Sequence, residues 1–299
     1  MNRLIKYYLL VVLSLGALGA SSVAWGAVSS TDNEIALQQS GDTFKLTVDQ
    51  VGYGNKLCGT LSSNICATDW IVTGTTLTIN IDQIGNSNQL FGPTILDTST
   101  IDMTFTGSSN VWDWNIGAQG SADTLDMDVA ITGSSNTMDL DAGASQASES
   151  LDWDFVISGN TNVFDVDIES MNVTWNYDVD GAGNNVLTNI SGDVDHTMTV
   201  ELDGDDNDWD FIQQGGKDYE LTIEWEGDDS DVDITQGSSS NSGNYQKTVI
   251  EWDGDDADLD ILQQSGNCPS GISSCYGTID LDITSNDAIV NIKQKDTTD

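Results

Sequence analysis

Six aspartates recur along the chain with the spacing of a repeat: Asp113, Asp139, Asp165, Asp210, Asp233 and Asp260, each flanked by apolar residues. An array of carboxylates without nitrogen or sulfur ligands is chemistry suited to calcium. Gly-Asp-Asp turns at Asp205-Asp206, Asp228-Asp229 and Asp255-Asp256 add a second acidic patch. Neither feature matches a known calcium loop. An EF-hand has Gly at its sixth position, where the run from Asp203 has Asp208, and the several glycines per turn of a calcium β-roll are reduced here to one. The plainer chemistry is a solvated acidic face that keeps the molecule soluble and blocks lateral aggregation. Solvation is the leading expectation, and calcium is the one cofactor the residues suggest. Carboxylates ~5 Å apart repel by nearly ~1 kcal/mol even in water, so such columns need salt, protons or cations to offset them.

Other chemistry is sparse. The single histidine, His196, has no Ser or Cys partner in sequence and reads as a packing residue. The carboxylates are spaced as columns rather than as a catalytic dyad. Polysaccharide-degrading β-helices use a cleft with basic residues, whereas Arg3, the only arginine, lies in the N-terminal signal described below. No enzyme is expected. Four cysteines, Cys58, Cys66, Cys268 and Cys275, read as two disulfides in an exported protein. Of three pairings, proximity favours Cys58–Cys66 and Cys268–Cys275.

The chain has 299 residues with 8 basic and 49 acidic side chains. Arg3 and Lys6, the apolar run Leu9 to Ala20 and the small-x-small site at Ala24-Trp25-Gly26 spell a secretory signal over residues 1–26. That run is too short to span a membrane, and membrane insertion is not expected. Its removal leaves six lysines against all 49 carboxylates, a net charge of −43. Charge-driven binding to nucleic acid or an anionic membrane is excluded. Such acidity commonly accompanies disorder, but nine tryptophans and regular aliphatic spacing imply a core.

What must position these residues is a repeat. With a turn glycine as origin, the units start at Gly52, Gly85, Gly107, Gly133, Gly159, Gly181, Gly204, Gly227 and Gly254, and Ser285 fills the slot once more. Most intervals run from 22 to 27 residues; the two of 33 and 31 hold the cysteine pairs, in insertions near 56–72 and 265–277. Positions two, four and six before the origin are mostly apolar, as in Ile157, Phe155 and Trp153; so are those five and seven after it, as in Trp209 and Phe211. Alternation on both sides of a turn predicts two strands per unit, each with one buried face.

Three residues after the origin stand Asn55, Asn88, Asn110, Asn136, Asn162, Asn184 and Asn207, and the register extends back to Asn33. A column of identical residues forms where coils stack ~4.8 Å apart, and not in a meander of reversing strands. The expected fold is all-β: a parallel β-solenoid over residues 27–295 with two strands per coil, about ten coils after an N-terminal half-coil, and a short tail at 296–299. Asn amides would ladder along the stack, and seven tryptophans, including Trp112, Trp114 and Trp252, would point inward.

Gln50-Val51-Gly52-Tyr53-Gly54-Asn55 and Gln83-Ile84-Gly85-Asn86-Ser87-Asn88 resemble the curlin repeat, Ser-x5-Gln-x-Gly-x-Gly-Asn-x-Ala-x3-Gln, of the major subunit of curli, the bacterial extracellular amyloid fibre. The family's early Gln corresponds to Gln50 and Gln83, and its closing Gln to Gln39, Gln213, Gln236, Gln263 and Gln294. The two never share a coil, the middle coils replace both, and the leading Ser survives only as Ser99. The resemblance implies Gln ladders beside the Asn column, secretion to the cell surface or medium (through the periplasm in a Gram-negative host), and self-assembly into fibres in a biofilm matrix. It implies as partners a second copy of the chain, an outer-membrane secretion channel and a nucleator. The competing expectation is a monomeric, calcium- or salt-stabilised acidic module that binds cells, glycans or a partner protein.

Overall fold

The computed structural model describes residues 10–15, 33–41, 43–52, 54–60, 66–85, 89–107, 111–116, 124–142, 150–169, 172–191, 195–214, 218–237, 245–265 and 276–296. They form twenty strands and, among the described residues, no helix. The strands are β1 (Leu10–Leu15), β2 (Gln38–Ser40), β3 (Thr43–Val51), β4 (Ile71–Ile84), β5 (Gln89–Thr106), β6 (Val111–Ile116), β7 (Thr124–Thr132), β8 (Thr137–Ala142), β9 (Leu151–Ser158) and β10 (Val163–Glu169). They continue as β11 (Val173–Asp180), β12 (Asn185–Ser191), β13 (His196–Asp203), β14 (Asp208–Gln214), β15 (Asp218–Glu226), β16 (Asp231–Gln236), β17 (Tyr245–Asp253), β18 (Asp258–Ser265), β19 (Tyr276–Thr284) and β20 (Ile289–Asp296).

The chain winds as a parallel β-solenoid. One parallel ladder runs β3-β4-β5-β7-β9-β11-β13-β15-β17-β19. The other runs β5-β6-β8-β10-β12-β14-β16-β18-β20, with β2 joined to it through the start of β4. β4 and β5 are long enough to serve both ladders, pairing through Val72–Gly74 with Thr94–Leu96 and through Thr76–Ile84 with Thr98–Thr106.

Alternation decides what is buried. In β9, β11 and β13 every second residue is buried, because successive side chains on a strand point to opposite faces. The register then stacks like on like: Trp153 pairs with Trp175, Phe155 with Tyr177, Trp225 with Trp252. Trp225 and Trp252 lie face to face with ring centroids 4.6 Å apart, and Trp153 meets Trp175 edge-on at 5.4 Å. Such aromatic pairs add ~0.5–1.5 kcal/mol beyond area burial.

The turn glycine answers two constraints at once. Gly204 has φ 137°, and a Cβ there would lie 2.3 Å from the carbonyl oxygen of Gly181 one coil below. Backbone hydrogen bonds continue through the stacked turns, as from Gly159 N–H to Asp180 O at 2.8 Å and from Thr161 N–H to Ala182 O at 2.9 Å. The turns are therefore part of the ladder.

Candidate functional site: side-chain ladders and open ends

The asparagine column is buried, with Asn136 and Asn162 at 0 % exposure. From Asn136 to Asn207 each described Nδ2 donates to the carbonyl of its own turn glycine: Asn136 to Gly133 at 2.9 Å, Asn162 to Gly159 at 2.9 Å, Asn184 to Gly181 at 2.9 Å, Asn207 to Gly204 at 2.8 Å, whereas Asn55 donates to Gln50 O and Ile84 O. Each Oδ1 accepts the backbone N–H of the asparagine one coil earlier: Asn162 from Asn136 at 3.0 Å, Asn184 from Asn162 at 3.0 Å, Asn207 from Asn184 at 2.8 Å. Ser230 Oγ ends the run by accepting from Asn207 N–H at 3.1 Å. The column mainly clamps one turn to the next through backbone groups. Direct amide-to-amide bonds occur from Asn33 to Asn55 at 2.9 Å and from Asn162 to Asn184 at 3.0 Å. Asn88 and Asn110 lie outside the described residues.

The glutamines do form amide ladders. Gln83 Nε2 donates to Gln50 Oε1 at 2.7 Å. Gln236 donates to Gln213 at 2.8 Å, Gln263 to Gln236 at 2.9 Å, and Gln294 to Gln263 at 2.9 Å. Thr248 Oγ1 joins this run, donating to Gln236 Oε1 at 2.9 Å and lying 3.2 Å from Gln263 Nε2. At the other end Gln213 Nε2 is buried without a hydrogen-bond partner among the described residues, because the register sets it beside Ile190. Gln39, in the same column, is paired with Val72.

The six aspartates fall in one register column. Asp113, Asp139 and Asp165 pair successively, Leu187 interrupts, and Asp210, Asp233 and Asp260 follow. Asn291 Nδ2 closes the second run with a hydrogen bond to Asp260 Oδ1 at 2.6 Å. Neighbouring columns end the same way: Asn185 donates to Asp208 at 2.8 Å, and Asn80 to Asp102 at 3.0 Å. An amide at the end of an acidic run supplies a donor where another carboxylate would repel. Partial burial, then neighbouring carboxylates, raise the pKa of Asp128, Asp152, Asp165, Asp210, Asp231 and Asp233. Among the described residues no group of three or more His, Cys, Asp or Glu side chains is set to hold a metal ion.

The Gly-Asp-Asp turns have a role that sequence reading missed. Asp205 Oδ1 accepts the N–H of Asp228 at 3.0 Å, Asp228 that of Asp255 at 2.7 Å, and Asp255 that of Asn286 at 2.9 Å. Asn286 also donates through Nδ2 to Asp255, and these bonds depress the Asp255 pKa. The same slot holds Asn160, which accepts from Ala182 N–H at 2.9 Å. The exchange of Asp for Asn in that slot was the available signal, since both supply a side-chain oxygen to a backbone donor.

His196 is buried and packs edge-on against Tyr219, ring centroids 5.3 Å apart. Cys58 and Cys66 are disulfide-bonded with Cα atoms 5.8 Å apart. Glu34 holds this loop to the N-terminal coil: its Oε1 accepts from Cys66 N–H at 2.8 Å and lies 3.8 Å from Lys56 Nζ. Cys268 and Cys275 lie outside the described residues, as do the side chains of Asp113 and Trp114.

At the C-terminal end β19 and β20 are each paired on one side only among the described residues. Ile292 occupies an inward slot yet is 50 % exposed, and Ile279, Leu281, Ile283 and Val290 are only partly buried. Among the described residues the last coil therefore leaves its inward side chains partly exposed and two strand edges unpaired. These features define a β-solenoid whose turns and interior are tied by amide and carboxylate side chains and whose C-terminal strands have, among the described residues, no strand on their outer edges. No protein-family model, curated protein or solved structure matches the chain.

Proposed function

We propose that the chain is a secreted structural protein that assembles end to end, by strand stacking, into curli-like extracellular fibres serving a surface or biofilm matrix. In this reading each coil has two strands, and ten coils follow the N-terminal half-coil. The carrying observation is the C-terminal end, where among the described residues β19 and β20 are unpaired on their outer edges and Ile292 is half exposed. An unpaired edge is a template for another strand. The column that ends in Gln294 begins with Gln39, its intervening members linked register by register. A second copy stacked on the C-terminal end would thus place Gln39 next to Gln294 and continue the ladder.

Electron microscopy and X-ray diffraction of the oxidised chain from Ala27 onward test this. Stacking gives fibres with spacings of ~4.8 Å and ~10 Å. A persistent monomer at high concentration, with salt and calcium added, sinks it and favours the stabilised monomeric module instead.

A further inference from the structure

The two ends of the solenoid differ in how their outermost strands are paired. At the N-terminal end β3 is paired on both sides, with β4 in parallel and with β1 antiparallel, in a register running from Leu10 opposite Asp49 to Leu15 opposite Phe44. β1 has the sequence Leu-Val-Val-Leu-Ser-Leu and lies within the apolar run of the expected secretory signal. The pairings that build the two long ladders are parallel, so β1 departs from the repeat in direction as well as in sequence. In a stack of two copies, the edge of β3 that β1 occupies is the edge that β19 of the other copy would fill. An antiparallel strand lying there ends the parallel ladder and leaves no site for that addition.

We propose that β1 is a removable cap. While residues 1–26 remain attached, the N-terminal end is blocked and only the C-terminal end is open; their loss uncovers β3 and makes both ends competent for stacking. Export and assembly are then coupled by one cleavage, because the strand that addresses the chain is the strand that keeps it from polymerising at that end. This rests on the end-to-end reading above. It adds that the uncleaved chain is a terminator: its open C-terminal end docks on the N-terminal end of a fibre and halts growth there.

Three chains test it: residues 1–299, residues 27–299, and residues 1–299 carrying Val11→Pro and Val12→Pro together. Alternate residues of an antiparallel strand donate to a given partner, so one of the two prolines removes a ladder donor whichever set faces β3. Residue-resolved hydrogen exchange on monomers is independent of fibre growth. Alternate amides across Thr43–Val51 should exchange at least about ten-fold faster in the 27–299 chain and the proline variant than in the 1–299 chain. In two-colour growth on immobilised 27–299 fibres, the 27–299 chain and the proline variant should extend both ends, while the 1–299 chain adds at one end and stops it. Equal protection of β3 in all three chains overturns the cap, and so does equal growth by the 1–299 and 27–299 chains. If the 27–299 chain forms no fibre, the terminator role falls with the end-to-end reading, and exchange alone decides whether β1 covers β3.

Discussion

Gln294 Nε2 donates to Gln263 Oε1 at 2.9 Å, which carries the glutamine ladder from Gln213 to the last strand, where Gln294 is exposed. Interior and end of one ladder are thus chemically the same but differently solvated, and they should respond differently to the same substitution. Gln263→Leu removes buried bonds to Gln236 and Thr248 and a half-buried one to Gln294 and should cost about 1–3 kcal/mol in a urea titration. Gln294→Leu should change monomer stability by less than ~0.5 kcal/mol, yet slow seeded elongation.

Two turn positions with positive φ should answer in opposite directions. Gly204→Ala introduces a Cβ 2.3 Å from Gly181 O at φ 137°, and should destabilise the fold by at least ~2 kcal/mol. Thr161 is a β-branched residue at φ 58°, a conformation that Gly183 supplies one coil later at φ 67°. Thr161→Gly should stabilise by about 1 kcal/mol, because it removes left-handed strain. Thermal melts of the two variants check both signs.

Acid should strengthen this fold before it weakens it. Folding raises the pKa of Asp128, Asp152, Asp165, Asp210, Asp231 and Asp233 above the ordinary value of 3.8. The folded state therefore binds protons more readily than the unfolded one, and stability rises as pH falls through the raised values towards 3.8. Asp255 works the other way, since its lowered pKa contributes stability that is lost as acid protonates it. The raised groups outnumber it, so the melting temperature should climb between pH 7 and about pH 4 at constant ionic strength. Asp233→Asn should be more stable than the parent at pH 7 and show a shallower pH dependence.

Salt should act through screening. With the acid columns arranged as ladders, sodium and calcium chloride at equal ionic strength should raise the melting temperature to a similar degree. A calcium rise well above that of sodium, reversed by chelator, would instead show a specific site.

The fold was legible because alternation and a turn glycine fix both face and register. Asp139 beside Asp165 and Trp153 beside Trp175 follow from counting from Gly133, Gly159 and Gly181. Column membership of the asparagines was readable for the same reason, but their partners were not. An amide three residues beyond the turn reaches back to the glycine carbonyl, a local geometry that stacking arguments ignore. Asp205, Asp228 and Asp255 looked like solvated charge because a carboxylate that accepts a backbone N–H from the next coil has the same sequence signature as one that meets water. The pairing of β1 with β3 was not readable at all, since the apolar run Leu9 to Ala20 has no alternation from which a register could be counted.

Stacking of folded solenoids fixes a length per chain, and mass per length of unstained fibres in the scanning transmission electron microscope measures it. Ten proposed coils at ~4.8 Å require one chain per about 50 Å of a single filament. That ratio supports end-to-end assembly. A mass per length near one chain per ~4.8 Å of a single filament, as in a stack of flattened, refolded chains, would contradict it.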